Sequence, residues 1–284
     1  MKSIYIALAA LVLMSCTTSD TPLKVIANLP LKEVSGMEYV NNSLWVLQDS
    51  GDENRIYNIT EAGKITKEVM VANAKNVDWE DMTADKQGNI YIGDFGNNNN
   101  VRQDLTIYKL DANSLDKVAY KITFNYPEQT EFPPRKSNWV FDCESFFEHN
   151  GNFYLFTKNR SKGFDGTVGV YSVPNKPGNH AAKLLGNIAT CNNHRKCAIT
   201  SADISPDGTK AVLLSGGKIW VLTNFGAGAF ADCDIKEVDL NHVSQKEAIC
   251  FKDNDNLLIA DEKKGNEGKK LYTVKLSDLL KTKG

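Results

Sequence analysis

An all-β fold, a single β-propeller of five blades with four antiparallel strands each, is predicted by three observations. A tyrosine or tryptophan between aliphatic residues recurs in Ile56-Tyr57-Asn58-Ile59, Ile107-Tyr108-Lys109-Leu110, Val170-Tyr171-Ser172-Val173, Ile219-Trp220-Val221-Leu222 and Leu271-Tyr272-Thr273-Val274. Upstream of each lies a second shared pattern: Ser35-Gly36-Met37, Glu80-Asp81-Met82, Glu144-Ser145-Phe146, Ala202-Asp203-Ile204 and Glu247-Ala248-Ile249. The intervening chain alternates short apolar-polar runs with turn residues. A repeat of roughly 40 to 60 residues built this way is one small sheet, which buries its faces only by stacking against neighbours around a ring. Six blades is the alternative if one of the long intervals, 111–141 or 174–199, conceals a degenerate blade.

The elements follow in order. Blade one reads as strands at 36–40, 44–48, 55–59 and 65–69, turned by Asn41-Asn42, Gly51 and Gly63. Blade two takes 81–84, 89–93, 105–110 and 118–124; blade three takes 145–148, 153–157, 168–173 and 183–188. In blade four, Ser205-Pro206-Asp207-Gly208 turns between 202–205 and 210–214, and 218–222 and 235–240 follow. Blade five supplies only 248–252, 256–260 and 270–275. Its outer strand is expected from 23–29, which closes the ring and pairs an otherwise open edge. The proline-bearing stretch 128–138 reads as a surface excursion. Aromatics between aliphatics on each third strand are expected to pack between blades rather than to form a stacking platform.

With 284 residues, 42% hydrophobic, the chain can bury a large core, and a formal net charge of -2 gives no reason to expect nucleic acid. The N-terminus reads as a processing signal: Lys2 precedes an apolar run, 4–14, too short to span a bilayer comfortably. That run ends in Leu13-Met14-Ser15-Cys16, which resembles the lipobox of bacterial lipoproteins and implies a diacylated Cys16; an ordinary secretory peptide is the alternative. The expected division is a signal peptide at 1–15, a lipidated tether at 16–22 and a propeller at 23–284. Thr17 is not the aspartate that retains lipoproteins in the inner membrane, so an outer-membrane anchor in a Gram-negative envelope is expected. In that oxidising compartment Cys191 and Cys197, flanking a short polar loop, are expected to bridge, the alternative being metal ligation with His194. Cys143 and Cys250 sit in strand-like apolar runs and are expected as buried thiols.

Propeller geometry brings the start of each innermost strand and the end of each second strand to one face of the channel. The first column reads Ser35, Glu80, Glu144, Ala202, Glu247, preceded two positions earlier by Glu33, Asp78, Asp142, Thr200 and Gln245. Fourteen residues after Ser35, Glu80, Glu144 and Glu247 stand Asp49, Asp94, Lys158 and Asp261. Carboxylates gathered in a partly desolvated funnel raise one another's pKa unless a cation compensates. Lys158 and Arg160 are one such source; a hard cation taking oxygen ligands, calcium by preference, is the other. The metal set is expected from Glu80, Glu144, Glu247, Asp78 and Asp142. Asp49, Asp94, Lys158, Arg160, Asp261, Glu262 and Trp79 are the expected ligand contacts. Strand-end capping by the acids and catalytic carboxylates remain the alternatives. No Gly-x-Ser-x-Gly elbow or His-Glu-x-x-His motif is present, and the four histidines share no blade position.

Glu33-Val34-Ser35-Gly36-Met37, Val77-Asp78-Trp79-Glu80-Asp81-Met82, Phe141-Asp142-Cys143-Glu144-Ser145 and Lys246-Glu247-Ala248-Ile249, with Ile259-Ala260-Asp261-Glu262, resemble the motifs of bacterial SdiA-regulated-type propellers. More broadly the chain is similar to the NHL, gluconolactonase and phytase-like propeller group. The resemblance implies an exported propeller that binds calcium, without implying a known reaction. Two functions are expected as alternatives. One is a lipid-anchored binding or scaffold protein, monomeric, whose acidic funnel holds a cation, a small molecule or a peptide. The other is a metal-dependent hydrolase of a phosphoester, lactone or glycoside acting in that funnel.

Overall fold

The computed structural model describes residues 21–281, so the expected signal peptide at 1–15 and Cys16 lie outside the described residues. Five sheets form one ring. Blade one comprises Val34–Val40, Ser43–Gln48, Arg55–Ile59 and Ile65–Met70; blade two Trp79–Ala84, Ile90–Asp94, Leu105–Asp111 and Ser114–Asn125. Blade three comprises Asp142–His149, Asn152–Lys158, Thr167–Pro174 and Lys183–Ala189; blade four Ile199–Ile204, Ala211–Ser215, Lys218–Thr223 and Asp234–Asp239. Blade five joins Lys246–Phe251, Asn256–Asp261 and Lys270–Lys275 to Lys24–Asn28, which pairs antiparallel with Lys270–Lys275. The ring is thus closed by chain from both ends, as expected. Thr21 already belongs to the folded body, its hydroxyl donating to the Leu240 carbonyl at 2.7 Å. No helix among the described residues is long and apolar enough to cross a membrane.

Neither long interval holds a sixth blade. Within 174–199, Gly178–Ala181 crosses back to pair in parallel with the outer strand of blade two, making that sheet five-stranded, before the chain returns as the outer strand of blade three. The crossing covers an edge that would otherwise present unpaired amides.

Five hydrophobic clusters hold the ring, one between each pair of neighbouring blades. Each takes one member of the aromatic column: Tyr57 packs between blades five and one, Tyr108 between one and two, Tyr171 between two and three, Trp220 between three and four, Tyr272 between four and five. The innermost strands run side by side around the axis. Blades one and two meet so closely there that a Cβ on Gly36 would lie 2.8 Å from the Asp81 Cα, so only glycine fits.

Polar stitches join the same strands. Asp81 accepts the amides of Phe146 at 3.4 Å and Ala202 at 3.3 Å, Ser201 accepts the Ile249 amide at 3.1 Å, and Asp203 accepts the Phe251 amide at 2.6 Å. Buried main-chain groups are satisfied from one blade to the next. Cys191 and Cys197 form a disulfide; Cys143 and Cys250 are buried thiols.

Candidate cation-binding funnel

In every innermost strand the pairing with the second strand slips by one residue at the same place, leaving Ser35, Glu80, Glu144, Thr200 and Glu247 as the extra residue. A β-bulge turns its extra residue off the ladder and re-aims the side chain. The column member in blade four is therefore Thr200. Ala202, expected there, lies two residues further along and packs in the core between blades three and four. The error arose because Ala202-Asp203 mimics the Glu80-Asp81 pair, whereas the bulge is a backbone feature that the side chains do not spell out. Where the bulge residue carries a hydroxyl it ties blades together: Ser35 donates to the Trp79 carbonyl at 2.8 Å and Thr200 to the Lys246 carbonyl at 2.7 Å. Where it is glutamate, the carboxylate is left for the channel mouth.

Opposite the bulges, the second strands end in Gln48, Asp94, Lys158, Ser215 and Asp261. Asp49 stands one residue beyond the ladder of blade one. Asp94 accepts the Asp78 amide at 3.0 Å, Arg102 Nη1 at 3.1 Å and the Tyr108 hydroxyl at 3.4 Å. Asp261 accepts the Lys270 amide and the Tyr272 hydroxyl, both at 2.7 Å. These two carboxylates pin the ends of their own blades and meet the aromatic column from below. Trp79 is not at the channel mouth: it is 0% exposed, and its indole N–H donates to the Lys75 carbonyl at 2.8 Å. Strand alternation accounts for this, since Asp78 and Glu80 face the funnel and the residue between them must face the other way.

Five carboxylates form a chain across the mouth. Asp49, Asp78 and Glu80 offer oxygens all within 4.8 Å of one another, and so do Glu80, Asp142 and Glu144. The two triples share Glu80 but differ in charge compensation. In the second, Arg160 bonds Asp142 through Nε at 2.5 Å and Glu144 through Nη2, and Lys158 bonds the other oxygen of Glu144. In the first, among the described residues, no cation is in contact: Arg102 acts on Asp78 and Arg160 on Glu80 only at longer range. Asp49 accepts the Ser50 amide and faces Asp78. Glu80, 6% exposed, has neither a hydrogen bond nor an ion pair among the described residues and lies next to Gly96, where a Cβ would collide with its carboxylate.

The electrostatics follow from this. Burial, then Glu144 and Asp49, pushes Glu80 well above the usual carboxylate range. Burial, then Asp49 and Asp142, raises Asp78 to about 7. Burial also lifts Glu144 to about 8 against the pull of Lys158 and Arg160. Glu247, half-buried at the same mouth, is raised by burial and eased by Lys158 and Arg160. Burial lowers Lys158, but Glu144 and Glu247 outweigh it and hold the ammonium above its ordinary value.

Beside the carboxylates opens a cavity of about 450 Å³, walled by Lys158, Arg160, His194, Arg195, Glu247 and Glu262. Glu262 is raised to about 8 by burial, then by Glu33 and Glu247. The Cys191–Cys197 bridge holds the short segment that carries His194 and Arg195. Sequence reasoning missed Arg102 and Lys246. Lys246 is fully buried and its Nζ bonds the carbonyls of Gly216 at 3.1 Å and His242 at 2.9 Å and the Ser244 hydroxyl at 3.0 Å, fixing the loop behind Glu247. Its alternation with Glu247 was the available signal.

No family model matches the chain, and no curated protein matches it. Among solved structures it is similar to the PQQ-bound aldose sugar dehydrogenase of Streptomyces coelicolor, at 10% identity and a TM-score of 0.50 over 89% of this chain and 96% of that one. A gluconolactonase of Xanthomonas campestris gives 12% identity and 0.49 over 89% of each chain, and a nidogen/laminin complex 11% and 0.49 over 82% of this chain and 73% of that one. The likeness to the dehydrogenase speaks for the propeller fold alone.

Proposed function

We propose that the chain is a lipid-anchored extracytoplasmic binding protein of the SdiA-regulated type, whose funnel holds one divalent cation, calcium, on Asp49, Asp78 and Glu80. The observation that carries this reading is Glu80: a buried carboxylate without a donor, aimed at two further carboxylates. Burying an unpaired charge costs several kcal/mol, which a bound cation offsets. Ligand oxygens within 4.8 Å of one another suit a cation that holds oxygen at about 2.3–2.6 Å, since opposed ligands then stand up to about twice that distance apart. The triple completed by Asp142 and Glu144 already has Arg160 and Lys158 as its cations, so the vacancy in charge falls on the blade one and two side. A small molecule or peptide would then occupy the adjoining cavity, between the cation and the Lys158–Arg160 wall.

The test is calorimetric titration of calcium into the chelator-treated chain. One ion per chain is expected, with Glu80→Gln weakening binding at least about ten-fold while Glu247→Gln changes it little. No calcium binding at millimolar concentration would sink the reading. Turnover of a lactone, phosphoester or glycoside panel that Glu80→Gln abolishes would replace it with the hydrolase reading.

A further inference from the structure

The innermost strands run about 15 Å from the bulge residues of the carboxylate funnel to the other face of the ring, at a rise of about 3.3 Å per residue. There a second cavity of about 490 Å³ opens on the axis. All five blades contribute a strand end to its wall: Tyr39 from blade one, Ala84 from two, His149 from three, Ile204 from four and Phe251 from five. A space of that volume is the size of an organic ligand rather than of an ion.

Two buried carboxylates line it, and they are not equivalent. Asp203 is committed to the fold: one oxygen accepts the Phe251 amide at 2.6 Å, the other the Ile204 amide at 2.7 Å. Glu38, 7% exposed, meets only the main-chain amides of Tyr39 and Ala84, and among the described residues no cation and no side-chain donor pairs with it. A third side chain is left incomplete at the same cavity. His149 is 8% exposed; its Nε2 lies 2.8 Å from the Asn150 side-chain nitrogen, and among the described residues no partner meets its Nδ1. Two half-buried carboxylates, Asp85 and Glu148, also line it, but Asp85 accepts the Gln87 and Asn89 amides and the Tyr91 hydroxyl, and Glu148 accepts the Gly151 amide. Val40, Ile204 and Pro206 add apolar surface, and among the described residues Lys86 is the cation that lines the cavity.

We propose that this far mouth binds an organic ammonium, a primary amine on an apolar or aromatic body, with its charged head on Glu38. A metal ion fits less well. Asp203, Asp85 and Glu148 already accept donors from the fold, so Glu38 is the carboxylate left for a ligand, whereas calcium draws on several oxygens at once. An ammonium needs only two or three acceptors, its body meets the apolar surface of Val40, Ile204 and Pro206, and a polar substituent of that body is left for the His149 ring. An anionic head would face Glu38 and Asp203 and is disfavoured. Burial, then Asp203 and Asp81, holds Glu38 well above the ordinary carboxylate range, a burden that a paired cation would relieve.

The experiment is calorimetric titration of the purified full chain with benzylamine and with its neutral isostere, benzyl alcohol. One benzylamine per chain is expected, bound at least about ten-fold more tightly than the alcohol. Glu38→Gln should bring the two within about two-fold of each other, and Asp78→Asn, in the opposite funnel, should leave benzylamine binding unchanged. On the wild-type chain, benzylamine should move the imidazole resonances of His149 and not those of His194 or His242; this decides the matter even where Glu38→Gln fails to fold. Equal affinities for amine and alcohol, an amine site indifferent to Glu38→Gln, or shifts at His194 or His242 in place of His149 would each overturn the proposal. Displacement of benzylamine by calcium together with loss of one calcium in Glu38→Gln would make the far mouth a metal site instead.

Discussion

Glu80 and Glu144 occupy the same bulge on neighbouring blades, and the difference between them is what their surroundings supply. Glu144 has Lys158 on one oxygen and Arg160 on the other, whereas Glu80 is in contact with neither and feels Arg160 only at longer range, although both glutamates are buried. Opposite mutational outcomes are expected. Glu80→Gln removes a buried charge that no cation contacts and that Arg160 offsets only at longer range, so the calcium-free chain should melt at the same temperature or higher, while the calcium-induced rise in midpoint should disappear. Arg160→Met leaves Asp142 and Glu144 short of a partner in a poorly hydrated site; a loss on the order of 3 kcal/mol is expected in denaturant titration, with or without calcium. An Arg160→Met chain as stable as wild type would show that the second triple does not depend on its cations.

The blade is the unit at which the sequence speaks most clearly, and the reason is packing. Each third-strand aromatic fills one cluster between blades, so the spacing of Tyr57, Tyr108, Tyr171, Trp220 and Tyr272 reports the number of interfaces directly. Trp220→Ala should therefore cost about 3–5 kcal/mol by denaturant titration, the usual loss for a large aromatic in a closed core. The bulge was less legible. It is a backbone feature, and in blade four Thr200 carries no carboxylate to mark it. The second-strand column was half legible: Asp94 and Asp261 recur at a fixed offset, but the offset could not say that Tyr108 and Tyr272 would take up their carboxylates. Nor could the spacing of Cys191 and Cys197 say that their loop would wall a cavity. Replacing both by serine should lower stability by about 2 kcal/mol, the loop-closure value for so short a ring, and should loosen His194 and Arg195 in hydrogen exchange without touching blades one and two.

At the scale of the whole ring, buried carboxyls at both mouths and along the axis make stability depend on pH in one direction. Burial raises Asp203 to about 7, despite two amide donors, and raises Glu38 and Asp81 as well. A carboxyl whose folded pKa lies above its unfolded value leaves the native state holding more protons, so its favourable contribution is complete below about pH 4 and is lost as pH rises towards 7. The calcium-free chain should accordingly unfold at lower denaturant concentration at pH 7.5 than at pH 5.5; a midpoint that rises over that interval would contradict the burial of these groups. Ring closure was legible in the sequence, because blade five lacks one strand and 23–29 had no other use. The polar belt of Asp81, Ser201 and Asp203 was not, because these residues look like ordinary strand polar positions until five strands are brought around one axis.

The proposed cation site is the triple of Asp49, Asp78 and Glu80, which no cation contacts, rather than the wider set that includes Glu144 and Glu247. Anomalous scattering from crystals grown with a lanthanide in place of calcium tests it directly. One peak within bonding distance of all three carboxylates is the expected result. A peak between Glu144 and Glu247, or none at the funnel while the ion binds elsewhere, would contradict it.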